Sequence, residues 1–403
     1  MKVRILPGKA VGCVTAPPSK SYAHRLMICA GLSEGGAVVE GISKSQDMLA
    51  TLDCLRALGT SVQQEGGTVT LRGSDGAYPD GSVFPCRESG STLRFMIPIA
   101  LAKGENAVFQ GSERLIERGV GVYETLFREK GIRLEKTPDS IAVSGHLNAG
   151  AYIIPGGISS QFVSGLLFAL PMLAGDSTLR VTPPVESRPY IDITIDAMRR
   201  FGVHVTEPEP NVFHIPGGQR YAGSRMQVEG DWSNAAALLA LDLAGGQVTV
   251  TGLNPDSLQG DKVCRPLLQR IAAGDPEPMD LSDCPDLGPV LFAAAALARG
   301  GCFTGTKRLR IKESDRAAAM AEELAKFGIA VTVEDNRVLV HPGTLTAPSV
   351  PLSSHNDHRI VMAMALLCSV VGGTITGAEA INKSFPDFFE VLRGLGLEVK
   401  EDA

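Results

Sequence analysis

The sequence predicts an α/β protein of two domains, each made of three copies of one helix-and-strand unit. Three observations support this. The chain has 403 residues, and domains usually run to about 100–200. An amphipathic-helix phrase closed by glycine recurs six times along it. An apolar-helix phrase recurs between those copies with the same rhythm.

The first phrase is an amphipathic helix, a glycine, then an alternating strand. It reads CLRALGTSV at Gly59, LFREKGIRL at Gly131, MRRFGVHV at Gly202, LAKFGIAV at Gly328 and LRGLGLEV at Gly396, with a degenerate copy, LLQRIAAGD, at Gly274. The gaps are 72, 71, 72, 54 and 68. A glycine just past a helix takes the left-handed conformation that other residues avoid, and the period-2 run after it is a strand. Segments such as QEGGTVTLRG and VEDNRVLVHPG read as hairpins closing a unit.

The second series begins near Lys20, Gly90, Ser159, Asp231, Asp286 and Asp357, with gaps of 70, 69, 72, 55 and 71. Each member has a polar start and then a run apolar nearly all round, which marks a buried helix. Both series share a short fourth step. Near-constant spacing over six copies indicates an internal repeat. The turn Val228-Glu229-Gly230-Asp231 lies between the third and fourth units. The six units divide there into two sets of three, and the strand-like segment before Lys20 precedes the first full unit.

Composition narrows the function. Apolar residues are 44% and charged residues 20%, enough for a large core and against disorder. The formal net charge is −6, which argues against a nucleic-acid surface. The longest apolar stretch, Ile360 to Gly373, is too short to span a bilayer, so no membrane partner is expected. MKVRILPGKAVG lacks the apolar core of a secretory leader. Eight scattered cysteines without a C-x-x-C pair fit reduced thiols in the cytoplasm. The seven histidines form no H-E-x-x-H and no close trio, so no metal is expected. Neither a Walker A motif nor G-x-G-x-x-G is present, so no nucleotide cofactor is implied.

Chemistry gathers at the starts of the predicted helices. Helix N-termini attract anions, and cations and hydroxyls collect there. The first start is PPSKSYAHR, with Lys20, Ser21 and Arg25. The second is ESGSTLR, where Gly90 allows close approach to backbone N–H groups. The third is GGISSQ, with Ser159, Ser160 and Gln161. Glu117-Arg118 opens the second covering helix, Ser187 and Arg188 open the third, and KESDR holds Lys312, Glu313 and Arg316, with Lys312 and Arg316 on one helical face. NDHR contributes Arg359, and NKSF contributes Lys383. Taken singly, each also reads as a helix cap or a solvated cation. Together they place cations at element starts in both halves of an acidic chain, a pattern that concentrates small multivalent anions. Asp286 and Glu313, carboxylates among those cations, are acid–base candidates.

These motifs resemble the 5-enolpyruvylshikimate-3-phosphate synthase family. PSKSYAHR, SGSTLRF, ERGVG, SSQF, SRPYIDIT, EGDWSNAA, KESDR, NDHR and NKSFPDFF follow in order over the whole chain. The resemblance implies a two-domain inside-out α/β barrel of βαβαββ units that closes on substrate, with residues 1–17 joining 229–403 as one domain, residues 18–228 as the other, and a hinge near 17–18 and 228–229. It implies that shikimate 3-phosphate meets Lys20, Ser21, Arg25, Ser159, Ser160, Gln161, Ser187, Asp286 and Lys312. It implies that phosphoenolpyruvate meets Lys20, Gly90, Arg118, Gln161, Arg316, Arg359 and Lys383. The implied reaction transfers the enolpyruvyl group to the 5-hydroxyl through a tetrahedral ketal and releases phosphate. Asp286, Glu313 and Lys20 are the catalytic candidates, without a cofactor or metal. The expected protein is a cytoplasmic monomer. Glu88 and Arg308 stand where other members carry Asn, which bears on local substrate contacts.

Three rivals have the same or a related architecture. The transferase acting on UDP-N-acetylglucosamine usually carries a loop Cys, whereas no Cys lies between Cys86 and Cys264. A non-catalytic phosphate-binding protein would have lost Asp286, Glu313 or the cations. An RNA-end-modifying enzyme would want a basic surface and a nucleotide site.

Overall fold

A computed structural model describes residues 1–402. The chain forms two compact units, one of Pro18–Glu229 and one of Met1–Pro17 with Gly230–Ala403. Each has its own apolar core.

The unit 18–229 holds three four-stranded sheets of identical strand order. In its last repeat, Ala151–Pro155 leads into the buried helix Ser160–Ala169 and then Ser177–Thr182, parallel to the first strand. The covering helix Arg188–Arg200 follows. A hairpin of Thr206–Glu209 and Val212–Ile215 closes the repeat, its second strand antiparallel to Ser177–Thr182. Ser82–Arg87, Asn106–Gly111, Arg133–Lys136 and Ser140–Ser144 repeat that order. In the first repeat the leading strand is supplied from the far end of the unit, Arg225–Gln227 beside Ala37–Glu40.

The other unit has two four-stranded sheets and one two-stranded pair, Gln247–Thr251 beside Val11–Thr15. This explains the short fourth step in the sequence. After the covering helix Cys264–Ala273 and Gly274, the chain goes directly to Met279–Asp280 without a hairpin. In the last repeat, Lys2–Ile5 lies between Gly373–Thr376 and Val399–Asp402, antiparallel to both.

The helices lie inside and the sheets outside. Helix His358–Val371 is buried from His358 through Ser369, while Ala151–Pro155 alternates exposed and buried residues. Helices Gly90–Lys103 and Ser160–Ala169 pack together in one core, Gly288–Leu297 and His358–Val371 in the other. All six phrase-ending glycines have positive φ, from 69° at Gly274 to 93° at Gly59.

Two local readings are corrected. Glu117-Arg118 does not open the second covering helix. It closes a separate short helix, Glu113–Arg118, because Ser112 caps that helix and Gly119 stops it at φ 68°. The covering helix is Gly121–Glu129. Lys312 does not share a helix face with Arg316. It ends a 3-10 turn, Lys307–Ile311, in extended backbone, and the helix begins at Arg316 after Asp315 caps it.

Candidate active site

In the unit 18–229, Ser19 rather than Ser21 caps the helix Lys20–Gly31, accepting from Tyr22 N at 3.4 Å. Lys20 is thereby held at the helix start. Its Nζ donates to Asp47 Oδ2 at 3.0 Å, from the first turn of Gln46–Ala57. Arg25 is buried and donates to Thr194 Oγ1 at 2.7 Å, Ser21 O at 2.8 Å and Tyr190 O at 3.0 Å. No carboxylate pairs with it among the described residues. Burial draws its guanidinium down to about 10, still cationic at neutral pH. A buried cation held only by neutral acceptors is costly unless an anion completes it.

Gly90 begins the helix Gly90–Lys103, which Ser89 caps. A Cβ at Gly90 would lie 3.1 Å from Arg94 Nη1 and 3.2 Å from Arg118 Nη2. Only glycine leaves both guanidinium groups in place there. Arg94 donates to Gln161 Oε1 at 2.5 Å and to Gly119 O at 3.1 Å. It thus fixes Gln161 and the turn carrying Arg118. Arg118 Nε is buried without a hydrogen-bond partner. Ser159 caps Ser160–Ala169 by accepting from Gln161 N at 3.3 Å. Ser160 is buried, and Ser187 sits buried at the start of Arg188–Arg200 in left-handed backbone. Gly90, Arg118 and Gln161 therefore form one group and Ser21 with Arg25 another.

In the other unit the centre is Arg316, whose side chain is only 1% exposed. Three carboxylates surround it: Asp286 Oδ1 at 2.7 Å, Glu313 Oε2 at 2.8 Å and Asp357 Oδ2 at 2.8 Å. Burial pulls against its charge, but the carboxylates, Asp357 foremost, hold the guanidinium well above its usual value. Lys312 Nζ reaches the same Asp286 oxygen at 3.1 Å. Burial lowers the Lys312 ammonium, with Asp286 pulling the other way. Asp286 Oδ2 lies 3.8 Å from Arg359 Nη2. Arg359 donates to Asn234 Oδ1 at 2.9 Å and Ser233 Oγ at 2.5 Å, and its Nε has no partner. Five residues singled out in the sequence thus meet: Asp286, Lys312, Glu313, Arg316 and Arg359. Lys383 joins them through the backbone, donating to Asn356 O at 2.7 Å.

The profile of the family described as EPSP synthase (3-phosphoshikimate 1-carboxyvinyltransferase) matches residues 6–392. The chain belongs to the EPSP synthase family. It is 38% identical to a 3-phosphoshikimate 1-carboxyvinyltransferase of Clostridium kluyveri, covering 99% of this chain and 98% of that one. It is 36% identical to the enzyme of that name from Clostridium perfringens, with both chains covered completely. An EPSP synthase structure from Acinetobacter baumannii superposes with a TM-score of 0.79 at 25% identity, over 99% of this chain and 100% of that one.

Within this EPSP synthase family fold, several supporting residues escaped the sequence reading. Asp357 anchors Arg316, Ser233 and Asn234 hold Arg359, Asp47 pairs with Lys20, and Arg94 holds Gln161. A signal exists for some: Asp357 lies in NDHR, Ser233 and Asn234 lie in EGDWSNAA, and Asp47 is a first-turn acid. Nothing in the sequence said which cation each would hold.

Proposed function

We propose that the chain transfers the enolpyruvyl group of phosphoenolpyruvate to the 5-hydroxyl of shikimate 3-phosphate, releasing phosphate. It would serve the shikimate pathway and so aromatic amino-acid synthesis. The observation that carries the chemical part is Asp286, one oxygen of which lies 2.7 Å from Arg316 and 3.1 Å from Lys312. A carboxylate so placed can take a proton while neighbouring cations offset the charge that develops.

In the addition step, Asp286 accepts the 5-hydroxyl proton as the oxygen bonds to C2 of phosphoenolpyruvate. C3 gains a proton from Glu313, or from Lys20. The product is the tetrahedral ketal. In the elimination, C3 returns a proton, the double bond re-forms and the C2–O bond to phosphate breaks. Lys20, Arg118, Arg316, Arg359 and Lys383 hold the phosphate and carboxylate and stabilise the leaving group. Gly90 and Gln161 complete that pocket. Ser21, Arg25, Ser159, Ser160, Gln161, Ser187 and Lys312 hold shikimate 3-phosphate. Residues 18–228 and the remainder each supply groups, with the hinge between these domains at 17–18 and 228–229. The protein acts as a cytoplasmic monomer.

The uncompensated buried charge of Arg25 and the partnerless Nε of Arg118 and Arg359 support anion binding in each domain. Phosphate release measured with each substrate omitted in turn tests the assignment. Asp286→Asn is expected to lower kcat roughly 10²- to 10⁴-fold, the range for loss of a general base. A change below about threefold would remove Asp286 from the role.

A further inference from the structure

We propose that His355, clamped by Glu323, is a positioning residue for the anion-binding arginines, an inference that rests on the function proposed above. His355 and Asn356 are consecutive non-glycine residues in left-handed backbone, with φ of 48° and 53°. Such a pair persists only where its surroundings enforce it. The next residue is Asp357, which anchors Arg316 at 2.8 Å and caps the helix carrying Arg359 by accepting from Arg359 N at 2.9 Å. The strained turn therefore sets the aim of two cations at once.

Glu323 enforces the turn. It lies fully buried on the helix Arg316–Lys326, one end of which is Arg316 itself. Oε1 meets His355 Nε2 at 2.8 Å, and Oε2 accepts from Ser353 N at 3.0 Å. The turn is further held by His355 N donating to Ser353 Oγ and Asn356 N donating to Ser354 Oγ, each at 3.1 Å. Lys383 closes it from the other side at Asn356 O. Glu323 thus ties the far end of the Arg316 helix to the loop that holds the Arg316 side chain.

The trio Glu322, Glu323 and His355 has a metal-like spacing. Lys326 Nζ nevertheless bonds both Glu323 oxygens, at 2.8 and 3.0 Å, so a cation would have to displace an ammonium. The charged groups facing His355 are Glu323, Glu322 at 3.9 Å and Lys326. The bond to Glu323 raises the imidazole above its usual value against the pull of burial. A protonated His355 makes the charge-assisted form of the clamp.

The test compares wild type with His355→Leu, His355→Gln and Glu323→Gln, measuring KM for each substrate, kcat and thermal midpoint. His355→Leu is expected to raise KM for phosphoenolpyruvate about tenfold, less than the 10²-fold a ~1 Å misplacement can cost. KM for shikimate 3-phosphate should stay within about twofold by the same argument, because Lys312 bonds Asp286 and not the turn, whereas kcat should fall, because the turn aims Arg316, which bonds Asp286 and holds the leaving group. His355→Gln, which still donates to Glu323, should recover most of the loss. Glu323→Gln should move the same KM in the same direction as His355→Leu. In wild type, kcat/KM for phosphoenolpyruvate should fall as pH rises and His355, whose imidazole is held above its usual value, deprotonates. His355→Gln should lack that part of the fall. Equal rises in both KM values, or an unchanged KM for phosphoenolpyruvate, would overturn the inference while leaving the function intact. Wild type that releases no phosphate with both substrates present would overturn the function and this inference together.

Discussion

At the residue scale, the candidate site is a set of buried charges arranged so that cations outnumber their carboxylates. Arg316 illustrates the energetics. Its three carboxylates offset the desolvation of a side chain that is 1% exposed, and Asp357, also fully buried, is the one that reaches Nε. Removing one partner of a buried pair typically costs about 3–5 kcal/mol. Two carboxylates would remain on Arg316, so Asp357→Ala should lower unfolding stability by about 3 kcal/mol in a urea titration. A loss below about 1 kcal/mol would mean that the pair is exposed in solution. Gly90 makes the complementary point about space. Gly90→Ala puts a methyl within 3.1–3.2 Å of two guanidinium groups. It should raise KM for phosphoenolpyruvate about tenfold, with KM for shikimate 3-phosphate unchanged, since small displacements of positioning groups carry that scale of penalty. Steady-state kinetics with each substrate varied in turn checks this. These contacts were the least legible part of the sequence. Asp357 and Arg316 are 41 residues apart, and Arg359 and Asn234 are 125 apart. Spacing along a chain carries no information about such meetings.

At the element scale, helices were legible because their signals are local. An apolar run with a polar start gave each buried helix, and a left-handed glycine closed each covering helix. The same local rules misplaced two starts. Arg118 and Lys312 lie beside breaks made by Gly119 and by the 3-10 turn Lys307–Ile311, and a continuous polar run hid both. The missing hairpin after Gly274 was visible only as a short step, which its absence now explains. The turn Ser353–Asp357 is where element stability should depend on pH. His355 has a raised folded value, so its contribution is complete below the usual imidazole value of about 6.5 and is lost as pH rises through the higher folded value. Glu323 has a lowered one, so its contribution is complete above the usual carboxyl value of about 4.5 and is lost as pH falls through the lower folded value. The stability gap between wild type and His355→Leu should therefore be greatest near pH 6, at about 1 kcal/mol, and shrink by about pH 9. Chemical denaturation at the two pH values measures it. A gap that widens toward pH 9 would contradict the assignment.

At the scale of the whole molecule, the six-unit rhythm matches a chain that forms two units with separate cores. Residues 18–229 are contiguous and carry three complete sheets. Expressed alone, they should unfold cooperatively by circular dichroism and release no phosphate from phosphoenolpyruvate. Phosphate release by that fragment would show that Asp286, Glu313 and Lys312 are dispensable. The central claim is enolpyruvyl transfer to shikimate 3-phosphate with Asp286 at the reacting hydroxyl. The most direct measurement is phosphate release from phosphoenolpyruvate by wild type and Asp286→Asn. Shikimate 3-phosphate is present, omitted, or replaced by UDP-N-acetylglucosamine. Release by wild type with shikimate 3-phosphate alone, largely lost in Asp286→Asn, is the expected result. Release with the sugar nucleotide instead, or no release from folded wild type with either acceptor, would contradict it.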